Sequence, residues 1–233
     1  MGKRKGYIPN IFTSINLIMG CLGIIEVFEG RLENVAYYVW LAGVVDFLDG
    51  FSARITDSAS SIGKDLDSMA DLVSFGVLPA LLVYSLLSKY SEHELLPYLG
   101  IFIAVCSALR LAKFNNDDRQ SNVFYGLNTP ANALFFTSIP LLIGEGVLLP
   151  LLQDITFISV LTVVFSLLLV SEIKFLAFKF KNFKWKGNEV RFLFLFVSVC
   201  LFVIFQFLAI PILIMLYIIL SLLLNIFARQ IIE

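Results

Sequence analysis

The apolar positions of this chain gather into long runs broken by short polar stretches, and eight such runs can be drawn, near residues 12–29, 35–54, 66–88, 95–113, 130–148, 153–173, 190–208 and 210–228. A helix needs about 20 apolar residues to cross the hydrocarbon layer of a bilayer. The pattern therefore predicts an all-α, polytopic membrane bundle of about eight transmembrane helices. Residues 1–11, MGKRKGYIPNI, are basic and then polar-aromatic, which suits a short interfacial segment on an anionic leaflet ahead of the first span. No small-residue cleavage site follows the first apolar run, so it is expected to stay as a helix rather than leave as a signal peptide.

Charge gives the bundle a direction. Mean hydropathy is +0.89 with only 15% charged residues, outside the range of soluble globular domains. With the N-terminus in the cytoplasm, the inside segments hold Lys3, Arg4, Lys5, Arg54, Lys64, Arg110, Lys113, Arg119, Lys174, Lys179, Lys181, Lys184, Lys186, Arg191 and Arg229, which is 15 of the 17 basic residues. Only Arg31 and Lys89 fall outside. This positive-inside bias predicts an even number of spans in the cytoplasmic membrane and both termini on the cytoplasmic side. Glu26 and Glu29 are read as interfacial, without basic partners at helical spacing. Cys21, Cys106 and Cys200 lie inside apolar runs and are expected to be core packing. His93, the single histidine, is expected on the outer side.

One polar stretch does not fit an inert bundle. Between Asp46 and Asp71 the sequence DFLDGFSARITDSASSIGKDLDSMAD carries six aspartates, a third of the chain's 18 acidic residues. Asp46 and Asp49 are three apart, and Asp67 and Asp71 are four apart, so each pair shares a helix face. At about 1.5 Å per residue, Asp46 and Asp49 lie about 17 and 21 Å along the second span, and Asp67 and Asp71 are expected in the first two turns of the third. Both pairs then meet just inside the cytoplasmic boundary, where a helix N-terminus would help hold anions. Four carboxylates facing one another near hydrocarbon are expected to be neutralised by bound cations. An oxygen-only ligand set favours Mg²⁺, Mn²⁺ or Ca²⁺. Asp57 and Asp65 are read as solvated loop residues.

The spacing D-x2-D-G-x2-A-R-x8-G-x3-D-x3-D, filled by Asp46, Asp49, Gly50, Ala53, Arg54, Gly63, Asp67 and Asp71, resembles the signature of the CDP-alcohol phosphotransferases. Asn10, Thr13 and Asn16 recur at three-residue intervals at the start of the first span. By themselves they read as interfacial capping; similar PN-x2-T-x2-N entries in the family help hold the cytidine nucleotide. The stretches VSFGVLPA, RLAKFN and GLNTPA further resemble the phosphatidylserine synthases of that family, with Asn128 standing where relatives usually show proline.

The resemblance implies a fold with a catalytic core over residues 1–150 and C-terminal helices over 151–233 as scaffold or dimer surface of the same membrane domain. It implies an enzyme moving a phosphatidyl group from CDP-diacylglycerol to L-serine with release of CMP. Asp46, Asp49, Asp67 and Asp71 would hold the divalent cation, with Asp71 also the general base. Asn10, Thr13, Asn16, Gly50, Ala53, Arg54 and Gly63 would hold CDP-diacylglycerol. Arg110, still inside an apolar run, needs an anion, and with Lys113, Asn115 and Thr129 is the expected serine pocket. Direct displacement is favoured over a covalent intermediate, because no histidine or activated cysteine is near. Membrane lipids and a second copy, as a homodimer, are the further expected partners; nucleic acid is not among them. Another acceptor, glycerol 3-phosphate or inositol phosphate, remains an alternative. A cation or proton transporter is the remote one, and it would spread its ionisable residues through the membrane depth.

Overall fold

The computed structural model describes residues 7–56, 61–117, 124–176, 185 and 187–227, the side chains of 7–9, 53–56 and 61 excepted. Residues 1–6, with Lys3, Arg4 and Lys5, and also Asp57, Arg119, Lys179, Lys181, Lys184, Lys186 and Arg229, fall outside the described residues, as do the side chains of Ala53 and Arg54.

Helices dominate what is described: α1 (Tyr7–Phe28), α2 (Val35–Thr56), α3 (Ser61–Asp71), α4 (Leu78–Tyr90), α5 (Ile101–Asn116), α6 (Thr129–Gly144), a single turn α7 (Leu149–Leu152), α8 (Ile155–Val170), α9 (Glu189–Phe205) and α10 (Ala209–Phe227). Four helical stretches among the described residues are long and apolar enough to cross a membrane, namely Asn10–Phe28, Ile62–Tyr90, Leu96–Asn116 and Glu189–Phe227; Thr129–Gly144 and Ile155–Val170 are shorter apolar helices. The fold is a membrane helical bundle. The 39-residue stretch Glu189–Phe227 is interrupted at Gln206, whose φ of +48° cannot continue a right-handed helix, and α10 packs on α6 as well as on α9.

Two boundaries differ from the sequence expectation. Tyr7 to Ile11 are already helical, so Asn10 belongs to α1 and not to a segment preceding it. The third helix starts at Ser61, six residues before Asp67. Since the macrodipole acts within the first turn, it does not reach Asp67 or Asp71 as expected. The missing ingredient is a π-helical turn, Leu72–Val77, which joins α3 to α4 without a break. Such turns interrupt the normal ladder and recur at functional sites.

That turn is the middle of the bundle. It is packed by α1, α2, α3, α4, α5 and α6, and Ser74, Phe75 and Gly76 within it are buried. Small residues permit the approach: a Cβ on Gly20 of α1 would sit 2.4 Å from Ser74 Oγ, and one on Gly76 would sit 3.0 Å from Ser107 Cβ of α5. Ser74 Oγ donates to the Asn16 carbonyl at 2.9 Å, tying the turn to α1. Farther out, Phe135 of α6 stacks on Phe165 of α8 at a centroid distance of 4.2 Å, and Phe136 meets both rings edge-on at 5.4 Å.

A two-residue antiparallel pair, β1 (Phe124–Tyr125) with β2 (Lys174–Phe175), ties the segments before α6 and after α8. Gly126 follows with φ +77°; its N–H donates to the Ile173 carbonyl at 2.9 Å, and a Cβ there would be 2.4 Å from the Leu169 carbonyl oxygen. From the other side, α10 grips the same backbone. Tyr217 Oη donates to the Leu176 carbonyl at 3.1 Å, Leu176 N–H donates to Ser221 Oγ at 3.2 Å, and Asn225 Nδ2 donates to the Lys174 carbonyl. Of the cysteines only Cys106 is buried; Cys21 is exposed, which corrects the expectation that it packs in the core. Glu26 finds a base after all, past the helix end: Arg31 donates to it at 2.6 and 2.9 Å, and Asn34 at 2.8 Å. Arg31 also pairs with Glu29.

Candidate active site

Asp46 and Asp49 project from α2 one turn apart, and Asp67 and Asp71 from the last two turns of α3. Packing of both helices on α1 brings one carboxylate oxygen from each of Asp46, Asp67 and Asp71 within 4.8 Å of one another, all three groups half-buried. Like charges at that spacing, with little water, repel strongly unless a cation or protons intervene. The donor set is oxygen alone and fits a hard divalent ion, so the residues present suit the metal that the spacing implies.

Asp49 stands apart from this trio among the described residues. It is buried, and Thr13 Oγ1 donates to its Oδ2. One turn farther along α1, Asn16 Nδ2 donates to Asp71 Oδ1 at 3.0 Å. The three-residue periodicity of α1 thus places one hydrogen-bond donor against each aspartate-bearing helix. Asn10 is half-buried and its carbonyl accepts from Ser14 Oγ at 2.7 Å. Gly50 is exposed, with nothing within 4 Å of where a Cβ would stand, and Gly63 is half-buried in the first turn of α3.

The four residues expected around serine separate into two groups. Arg110 is 6% exposed, interacts electrostatically with Asp71 and Tyr217, and lies over the Phe114 ring with its guanidinium carbon 5.8 Å from the centroid. Its Nε has no hydrogen-bond partner among the described residues. Thr129, the first residue of α6, is buried with Oγ1 equally unpartnered. Lys113 instead forms an ion pair with Glu172, an exposed residue just beyond the end of α8. Asn115 is engaged with α3: its Nδ2 donates to Ser68 Oγ at 2.7 Å, and its carbonyl accepts from Lys64 Nζ at 2.7 Å. Asn128, at the family's usual proline position, caps α6 by accepting from Ala131 N–H at 2.9 Å.

The pairing of Asn16 with Asp71 is not legible in the sequence, because residues 55 apart carry no local signal of it, and one further group, Asn132, escapes the sequence reading. Asn132 sits in an apolar run, but its three-residue spacing from Thr129 could have been read as a shared helix face.

A model of the CDP-alcohol phosphatidyltransferase family matches residues 6–180. The chain is 35% identical over 182 residues to a CDP-diacylglycerol–serine O-phosphatidyltransferase of Bacillus subtilis, covering 74% of this chain and 92% of that protein. It is 36% identical over 168 residues to a protein of the same name from Methanocaldococcus jannaschii, covering 72% and 73%. An archaetidylserine synthase of Methanothermobacter thermautotrophicus is 34% identical over 133 residues, 56% of each chain.

Proposed function

Since the chain belongs to the CDP-alcohol phosphatidyltransferase family, we propose that it transfers the phosphatidyl group of CDP-diacylglycerol to the hydroxyl of L-serine, giving phosphatidylserine and CMP. It is an integral membrane enzyme. The observation that carries this reading is the convergence of Asp46, Asp67 and Asp71 beside a buried arginine, in a chain whose relatives at 35% and 36% identity bear the serine transferase name.

In the mechanism, the serine oxygen attacks the phosphorus that carries diacylglycerol, and the bond from that phosphorus to the CMP oxygen breaks. CMP leaves with the electron pair, and the hydroxyl proton passes to Asp71. Asn16 occupies one oxygen of Asp71, and the other serves as base. Asp46, Asp67 and Asp71 would hold a divalent cation, Mg²⁺ or Mn²⁺ being favoured and Ca²⁺ also compatible; when bound it supplies charge neutralisation at the pyrophosphate. Asp49, held by Thr13 outside the converging trio, would serve as an additional ligand. Gly50, Ala53, Arg54 and Gly63, with Asn10, are assigned to the nucleotide, and the open space beside Gly50 would admit it. Arg110 and Thr129 take the serine head group. The positive-inside bias supports a cytoplasmic site, reached by lipid sideways from the bilayer and by serine from water. A homodimer is proposed as the working assembly.

The direct test is an assay of the purified protein with CDP-diacylglycerol, Mn²⁺ or Mg²⁺ and a panel of acceptors. Release of CMP with L-serine and not with glycerol 3-phosphate or inositol phosphate is the expected result; activity confined to either of the other acceptors would overturn the serine assignment.

A further inference from the structure

Buried polar atoms inside an apolar bundle are nearly always paired, because an unpaired one forfeits its hydration for nothing. Helix α6 obeys this rule along most of its length. Thr137 Oγ1 donates to the Ala133 carbonyl at 2.7 Å and Ser138 Oγ to the Phe135 carbonyl at 2.7 Å. Among the described residues the exceptions are confined to its first turn, where Thr129 Oγ1 and both side-chain atoms of Asn132, Oδ1 and Nδ2, are buried without a partner. Asn132 is 0% exposed, so bulk water does not compensate it.

The position of this turn in the bundle gives the exception a meaning. At the far end, a Cβ on Gly144 would lie 2.6 Å from Glu33 Oε1, so the end of α6 is level with the start of α2, on which it packs. From Gly144 back to Asn132 is about 18 Å of helix, and from Val35 forward to Asp46 is about 17 Å. Asn132 therefore stands at the depth of the carboxylate trio, and α6 also packs on the π-helical turn that follows Asp71. Across that turn, Arg110 Nε and Ser107 Oγ are the buried side-chain atoms of α5 without a partner among the described residues.

We propose that Asn132 is a specificity-determining residue that binds the α-amino-acid head group of the acceptor, its amide serving as acceptor to the ammonium and as donor to the carboxylate. This rests on the serine transferase reading above. An amide short of both a donor and an acceptor matches a ligand that carries one of each kind of charge. Arg110 alone provides only for the carboxylate, since a guanidinium has no acceptor to offer an ammonium.

Asn132→Leu keeps the branched shape and the number of heavy atoms and removes both hydrogen-bonding atoms. Steady-state kinetics varying each substrate in turn should show the KM for L-serine raised roughly 10- to 100-fold, as for the loss of a hydrogen bond to a charged group, with the KM for CDP-diacylglycerol within about twofold of wild type. Asn132→Ser, which keeps a donor and an acceptor, should restore part of the serine KM. An unchanged serine KM in Asn132→Leu overturns the proposal. So does a parallel rise in both KM values, or loss of the folded protein in both variants, because Asn132 would then be structural. Wild-type protein that fails to use serine at all refutes the underlying function instead, so the two failures are distinct.

Discussion

Asp71 occupies the most constrained position of the site, held by Asn16 on one side and facing Asp46 and Asp67 on the other. If its main task is to take the serine proton, that interaction matters chiefly in the transition state. Asp71→Asn should lower kcat by about 10²–10⁴-fold while CDP-diacylglycerol binding, followed by titration with metal present, changes little. Rate and binding falling together would make it chiefly a metal ligand. Arg110 poses a different question. Its planar fork can bind a carboxylate through two parallel bonds that lysine cannot reproduce, so Arg110→Lys should raise the serine KM about tenfold or more and leave the KM for CDP-diacylglycerol near wild type. The reverse pattern would place the lipid phosphate, and not serine, against the guanidinium.

At the scale of elements, three joints hold the site in shape. The first is the crossing of α1 on the π-helical turn through Gly20 and Ser74, which sets the distance from Asn16 to Asp71. The second is the clamp of α10 on the segment after α8 through Tyr217, Ser221 and Asn225, residues one turn apart on one face; it gives a helix without acidic residues a structural task. The third is Gly126, which leads the chain from β1 into α6. A side chain there needs both a left-handed backbone and relief from the Leu169 carbonyl. Gly126→Ala should therefore cost about 1–3 kcal/mol, seen as a Tm lower by roughly 2–10 °C in detergent. The serine KM should rise as well, because Thr129 and Asn132 ride on the same turn. An unaltered Tm would show that the joint relaxes freely.

For the molecule as a whole, the three-carboxylate centre joins two helices across the bundle, so metal binding and stability are linked by mass action. Adding Mn²⁺ to metal-free protein should raise Tm, and excess chelator should abolish turnover. Asp67→Asn should remove most of the Mn²⁺-dependent rise in Tm without preventing folding, since it relieves like-charge repulsion in the absence of metal. Full activity in chelator, or an Asp67→Asn protein with the wild-type metal response, would disprove a metal role for the cluster.

Much of this protein is determined by sequence alone. Long apolar runs have no alternative to helices in a bilayer, because every backbone group must be satisfied within the segment, and among the described residues four long apolar helical stretches and two shorter apolar helices answer to them. The D-x2-D and D-x3-D intervals put carboxylates on common faces for the same local reason, since 3.6 residues make a turn. Local periodicity orients residues within one helix and says nothing of how two helices are rotated against each other. That is why only the tertiary structure selects Asp46, Asp67 and Asp71 as the converging trio, assigns Asp49 to Thr13 and Asp71 to Asn16, and engages Lys113 with Glu172. The π-helical turn has no counterpart in the apolar pattern, because it changes the register of the backbone and not the identity of the residues. The unpaired amide of Asn132 becomes visible only once α6 is docked, when burial has removed the water that would otherwise have answered it.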